Sequence, residues 1–305
     1  MATMKTLNGY GFNATELNGK AASDYLQKTD TATNSTKLGG KAPEYYIQPR
    51  NLLDNSDFRN PVNQRGNSEY AFNFGYSLDR WRLYGGDAIS RVRVLSGCIE
   101  LSLNDNKSYF DQLIDVDKTK TYTFAVLADD GLHVISGIPS VGANDGVILL
   151  GVNSAGYVKA SVVGFLRIYN IYWAALYEGS YTADTLPPYV PKGYASELAE
   201  CQRYFWLCDN SYFSEGCGYV FAPNECRFMI STPQTMRISP SIIADKNNTT
   251  SYGIKLVING NVLTPTSVSV RRANNRLCLT LGGKFTTNAV GVMRIESQLS
   301  FSADL

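Results

Sequence analysis

The stretch Arg91-Val92-Arg93-Val94-Leu95-Ser96-Gly97-Cys98-Ile99-Glu100-Leu101-Ser102-Leu103 decides the fold. Polar and apolar residues alternate through Arg91–Leu95 and again through Ile99–Leu103, around the turn pair Ser96-Gly97. Successive side chains of an extended chain point to opposite faces, so each run presents one apolar and one wet face, the mark of a half-buried strand. The same pattern continues outward. Thr121–Leu127 runs to the turn Asp129-Asp130-Gly131, and Cys226, Phe228 and Ile230 share one strand face, which makes Cys226 a core residue. Tyr252–Ile258, Asn259-Gly260 and Val262-Leu263 read as a hairpin, Leu277, Leu279 and Leu281 alternate with Cys278 and Thr280, and Leu299 and Phe301 close the chain. Helix-period runs are nearly absent before Ser196, and 20 Tyr, 13 Phe and 26 Gly suit strands and turns. The expectation is an all-β chain of two jelly-roll-like β-sandwiches.

Three segments follow from the composition shifts. Residues 1–50 contain an internal repeat at an offset of 21, matching Asn13-Ala14-Thr15-Glu16-Leu17-Asn18-Gly19-Lys20-Ala21 to Asn34-Ser35-Thr36-Lys37-Leu38-Gly39-Gly40-Lys41-Ala42. Each copy has too few apolar residues for a core of its own, so sister chains or a larger partner are expected to supply the missing contacts, with disorder as the alternative. Residues 51–190 form the first sandwich. Leu186-Pro187-Pro188-Tyr189-Val190-Pro191 cannot run inside a sheet and reads as an extended linker. Residues 191–305 then carry a helix of two to three turns capped by Ser196, with Glu197 and Glu200 favouring its dipole, and the second sandwich.

Charge and chemistry narrow the function. Lys plus Arg (28) nearly cancel Asp plus Glu (27), and a net charge of +1 argues against gripping nucleic acid or acidic lipid. The amino terminus lacks an apolar signal region and no stretch is long enough to span a bilayer, so a soluble chain made in a cytoplasm is expected. The six cysteines have no metal-pair spacing and are expected to be mostly reduced thiols. Gly9-Tyr10-Gly11-Phe12-Asn13-Ala14 matches a nucleotide-binding fingerprint, but no strand precedes it and no βαβ unit follows. The single histidine, His133, sits in an alternating run with no nucleophile elbow anywhere in the chain. Asp115-Val116-Asp117 fails as an EF-hand because Lys120 and Val126 occupy the glycine and glutamate positions, although a calcium site of another kind in the first sandwich stays open. No cofactor, resident metal or catalytic residue is expected.

Three stretches resemble a known family. The Leu-x-Gly-Lys-Ala-x-x-x-Tyr units at 17–25 and 38–46 resemble short repeats near the attachment end of bacteriophage tail fibres. Asn51–Phe58, Asn63-Gln64-Arg65-Gly66 and Leu78-Asp79-Arg80-Trp81 are similar to the opening of a jelly-roll module in such fibres, itself similar to carbohydrate-binding modules. Tyr194–Phe205, with Cys201-Gln202-Arg203-Tyr204-Phe205 and Met236-Arg237-Ile238-Ser239-Pro240, resembles their receptor-binding head. The resemblance implies a homotrimer of the virion that attaches to a phage tail or baseplate through its amino terminus and recognises the bacterial surface with its distal β-domain. With no catalytic residue expected, the leading reading is a non-enzymatic protein that adheres to a bacterial surface glycan without inserting in a membrane. A structural tail connector and a polysaccharide depolymerase or esterase are the alternatives.

Sugar recognition needs aromatic faces, amides and guanidinium groups. In the second sandwich Tyr212, Phe213, Tyr252, Arg272, Asn274 and Asn275 supply them on expected loops, with ordinary solvated turns as the competing reading. In the first sandwich Trp81 and Tyr84 are candidates, although a Trp between an Asp-Arg pair and an apolar strand reads first as a core ring.

Overall fold

The computed structural model describes residues 16–17, 20–21, 49–164, 167–208, 217–243, 253–258, 261–274, 276–285, 290–295 and 299–304. The chain divides into two compact units, 1–49 and 50–305. In the first, β1 (Glu16–Leu17) pairs antiparallel with β2 (Lys20–Ala21). Most of the repeat lies outside the described residues.

Among its described residues the second unit is all-β apart from one short helix, with its sheets arranged as sandwiches. Along its first half run β3 (Glu69–Phe72), β4 (Phe74–Tyr76), β5 (Arg82–Tyr84), β6 (Ser90–Leu95), β7 (Cys98–Leu103), β8 (Tyr109–Ile114), β9 (Tyr122–Ala128), β10 (Gly131–Gly137), β11 (Ala143–Asn144), β12 (Ile148–Val152), β13 (Val158–Val163) and β14 (Arg167–Glu178). They form two six-stranded antiparallel sheets, in the orders β10-β9-β14-β7-β6-β3 and β11-β12-β13-β8-β5-β4. The stretch that opened the sequence reading is the β6–β7 hairpin, closed at Leu95↔Cys98 with Gly97 at φ 85°, a conformation that glycine reaches without a steric penalty. Its apolar positions Val92, Ile99, Leu101 and Leu103 are buried against Leu83, Phe110, Ile148 and Val162 from the opposite sheet, in one continuous core.

Asn51 and Asn55 tie the entry segment across this core. The Asn51 side chain accepts from the backbone N–H of Leu53 and Leu176 and donates to the Ala174 carbonyl. Asn55, at φ 51°, donates to the carbonyls of Val62 and Asp79 and accepts from the Val62 N–H. Such bonds satisfy backbone groups that a buried loop would otherwise leave bare.

Residues 180–193 carry no strand. They lie along the first sandwich, where Tyr189 stacks on Trp173 with ring centroids 4.7 Å apart and an interplanar angle of 8°. Helix α1 (Tyr194–Cys201) follows, and here the sequence expectation is corrected. The helix starts two residues before Ser196, at a Gly193 N-cap with φ 81°, and no side chain caps it. Glu197 fixes its position instead, accepting the Asn55 N–H at 2.6 Å, so a tertiary contact replaces the local cap.

The second sandwich contains β15 (Phe205–Cys208), β16 (Cys217–Ala222), β17 (Glu225–Ser231), β18 (Ser241–Ile243), β19 (Ile254–Ile258), β20 (Asn261–Leu263), β21 (Ser267–Ala273), β22 (Arg276–Gly282), β23 (Val290–Ile295) and β24 (Leu299–Ser302). A three-stranded sheet, β15-β24-β18, faces a seven-stranded one, β20-β19-β23-β16-β17-β22-β21. Val220, Cys226, Phe228, Leu256, Leu279, Met293 and Phe301 fill the space between them. Burial pushes the Cys226 thiol up to about 11, which keeps it protonated in the core. Gly218 lies against the Phe228 ring, where a Cβ would come within 2.2 Å of ring carbon. No helix among the described residues is long and apolar enough to cross a membrane.

Candidate functional site

The outer face of the β11-β12-β13-β8-β5-β4 sheet gathers the chemistry. Alternation turns Leu83, Phe110, Val158, Ala160 and Val162 inward to full burial. The other parity of the same strands sends Phe74, Arg82, Tyr84, Tyr109, Asp111, Lys159 and Ser161 outward. Register then brings them side by side, through the pairs Phe74↔Tyr84, Tyr84↔Tyr109, Arg82↔Asp111 and Asp111↔Ser161.

The result is a row across four strands. Phe74 meets Tyr84 edge to face at 6.2 Å, Tyr84 stacks on Tyr109 at 4.7 Å, and the Lys159 ammonium lies 3.5 Å from the Tyr109 ring centre. The two tyrosines thus spend their faces on neighbours. Phe74, 61% exposed, is the ring with most surface open to a ligand, and the Arg82 guanidinium flanks it at 5.8 Å. Beyond Lys159 the face continues over Leu149 and Gly151, opposite Ser161 and Lys159, into an open cleft of about 460 Å³. Val141, Ala143 and Asn144 contribute to the lining of that cleft, which contains no charged side chain. At the usual spacing of about 4.8 Å between strands, the path from β4 to β12 is about 19 Å long.

The row carries a surplus cation. Both oxygens of the fully buried Asp111 carboxylate accept from Arg82, at 2.9 and 2.8 Å, a forked pair. Lys159 stands 3.9 Å from the same carboxylate. Burial pushes Asp111 above its ordinary value against the pull of Arg82 and Lys159, and burial lowers Lys159 despite Asp111. Two cations and one carboxylate leave one positive charge for a ligand. The Ser161 hydroxyl beside them is buried without a hydrogen-bond partner among the described residues. This arrangement can hold an apolar ring against Phe74 and offer donors to hydroxyl or carboxylate oxygens. With both Asp111 oxygens committed to Arg82, it offers no evident general base.

The residues expected from sequence are distributed differently. Trp81 is corrected to the core: it is 0% exposed, stacks on Phe110 at 4.8 Å, meets Phe58 at 5.0 Å and donates its indole N–H to the Asn55 carbonyl at 2.8 Å. Its ring has no face left for a sugar. Tyr84 is in the row. Arg272 donates to the Met236 and Arg237 carbonyls at 2.8 and 2.6 Å, so its guanidinium braces the loop before β18. Asn274 is exposed at the β21–β22 turn with φ 57°. Tyr212, Phe213, Tyr252 and Asn275 lie outside the described residues. His133 bonds Asp130 at 2.9 Å and stands 3.9 Å from Asp145. The sequence reading missed Phe74, Arg82, Tyr109, Asp111 and Lys159, whose signal is a polar or aromatic residue at every second position of strands that are otherwise apolar.

One acidic cluster is also present. Ligand oxygens of Asp54, Glu197 and Glu200 lie within 4.8 Å of one another. The Lys192 ammonium already bridges two of them, 2.6 Å from Glu200 and 3.3 Å from Asp54, and Arg80 Nε adds a bond to Asp54 at 3.1 Å. Burial alone would raise Asp54, yet Arg80 and Lys192 hold it below its ordinary value. A resident ammonium therefore takes the place that a metal ion would occupy. Asp117 is likewise engaged, accepting from the Thr119 N–H and hydroxyl. No protein-family model matches the chain, and no curated protein matches its sequence.

Proposed function

We propose that the chain is a non-enzymatic bacteriophage tail-fibre or receptor-binding protein that adheres to a bacterial surface glycan. The observation that carries the binding part of this reading is the outer face running from Phe74 through Tyr84, Tyr109 and Lys159 to the cleft beside β12. Phe74 supplies an apolar surface for the C–H side of a sugar ring, and Arg82, Lys159 and the tyrosine hydroxyls supply donors to its oxygens. A path about 19 Å long suits an extended saccharide better than a single ring. The repeat at 1–50, which cannot form a core alone, supports attachment to a tail partner and assembly of sister chains into a trimer, and linked copies would turn weak single contacts into firm adhesion.

The test is binding of the full chain to immobilised bacterial surface polysaccharides, with light scattering of the same sample and analysis of the polysaccharide afterwards. Binding by a trimer with the polysaccharide unchanged is the expected result. Absence of binding together with stable incorporation into tails would favour the structural connector, and release of reducing sugar or acetate would favour the enzyme.

A further inference from the structure

The contact between the two sandwiches is built around shared charge. Gln64 and Arg65 reach out of the first sandwich. Gln64 donates its backbone N–H to Asp79 at 2.7 Å, and its side-chain amide donates both to Asp79 at 3.0 Å and to the Phe205 carbonyl at 2.8 Å. The Arg65 guanidinium lies 3.9 Å over the Phe205 ring and spans two carboxylates, Asp79 at 3.4 Å and Asp304 at 3.0 Å. Asp79 comes from the first sandwich and Asp304 from the end of the second, and their side chains are 0% and 4% exposed. One cation therefore serves two buried anions. Asp304 also accepts from the Ser302 hydroxyl through Oδ2, while its Oδ1 is buried without a hydrogen-bond partner among the described residues.

We propose that this joint is an acid-tightened latch: Asp79 and Asp304, sharing Arg65, hold one proton between them when the sandwiches are docked and lose grip when that proton leaves. A buried pair of carboxylates with a single counterion has one uncompensated charge, and the unpartnered Oδ1 of Asp304 marks where the pair is under-served. The surroundings correct the deficit only in part. Tyr70, Tyr76 and Cys201 face the pair as neutral groups, and Arg80, the next cation, pulls on Asp304 from a distance while its bonds go to Asp54 and the Leu113 carbonyl and its plane lies over the Tyr204 ring. Burial pushes Asp79 up to about 6 against the pull of Arg65, with Asp304 adding to the rise, and burial raises Asp304 as well. Glu197, buried in α1 against Asn55, is raised in the same direction.

The sign follows from linkage. A carboxyl whose docked value exceeds its free value binds protons more tightly when docked, so its contribution is full below the ordinary value of 3.8 and is lost as pH rises through about 6. Asp54 works in the opposite sense, because its value is depressed, but it acts only below its ordinary range. Between pH 5 and 8 the latch should therefore loosen, by about tenfold in the opening equilibrium for Asp79 alone.

Hydrogen exchange of the full chain tests this, comparing residues 63–66 and 302–304 with the core strand β9 as reference, after correction for intrinsic rates. A His133→Gln background removes the lone histidine, which lies between Asp130 and Asp145. Opening at the joint should rise about tenfold or more from pH 5 to pH 8, with β9 unaffected. Asp304→Asn places an amide where Oδ1 has no partner and keeps the acceptor facing Arg65, so it should strengthen protection at pH 8 and make the pH response smaller than that of the wild type, the remainder being set by the burial of Asp79. Joint protection that stays within twofold across this range, or rises with pH, overturns the proposal without recourse to any variant. So does an Asp304→Asn chain that responds to pH as the wild type does.

Discussion

Replacing Trp81 by alanine separates a structural ring from a ligand platform. The indole is fully buried, stacked on Phe110 and edge-on to Phe58, and its N–H satisfies the Asn55 carbonyl. Truncating a buried aromatic of this size costs about 3–5 kcal/mol through lost transfer energy and the cavity left behind. The Asn55 carbonyl, deprived of its donor inside the core, adds about 1–3 kcal/mol unless water enters. Trp81→Phe keeps most of the stack and forfeits mainly the N–H bond, so it should lose less than half as much. Urea unfolding followed by far-UV circular dichroism measures both, with the midpoint moving sharply for alanine and modestly for phenylalanine. A Trp81→Ala chain that unfolds within about 0.5 kcal/mol of wild type would refute the core assignment and return the ring to the surface.

Other expectations concern packing, charge and segment independence. Gly218→Ala drives a methyl group into the Phe228 ring and should destabilise the second sandwich by about 1–3 kcal/mol, seen as an earlier change in Trp206 fluorescence; an unchanged transition would contradict the close approach. Arg82→Met leaves the Asp111 carboxylate buried beside Lys159 alone and should cost about 3–5 kcal/mol at pH 7 in a thermal melt, with part of the loss recovered at pH 5, where the carboxyl can protonate. Removing residues 1–49 should leave the melting of 50–305 unchanged, because the two parts are separate compact units, and should abolish incorporation into tails. A collapsed melt would mean that the amino-terminal segment packs into the core.

The fold was legible where one face of a strand is buried. Val92, Ile99, Leu101, Cys226, Phe228 and Leu279 point inward because alternation allows no other face, and the Ser96-Gly97 turn fixes the register between β6 and β7. Position along the chain was less legible where tertiary contacts override local signals. Ser196 is a good cap by composition, but Glu197 docks on Asn55 and Gly193 starts the helix sooner. The aromatic row was hidden for a related reason. Phe74, Tyr84, Tyr109 and Lys159 are scattered over 86 positions, and only the pairing of β4, β5, β8 and β13 brings them together. Trp81 drew attention as the most conspicuous ring near a polar pair, yet Asp79 and Arg80 beside it are themselves buried and engaged, so the polar neighbours carried no information about exposure.

The most direct test of the account is the affinity of purified full-length protein for bacterial surface polysaccharide, measured by calorimetry for wild type, Phe74→Ala/Lys159→Ala and Asn274→Ala. Loss of an aromatic contact and a charged donor, at about 1–2 kcal/mol each, predicts at least tenfold weaker binding for the double variant, with a wild-type far-UV spectrum showing that it stays folded, and wild-type affinity for Asn274→Ala. Full affinity in the double variant combined with weakened binding in Asn274→Ala would contradict the assignment and place recognition in the second sandwich.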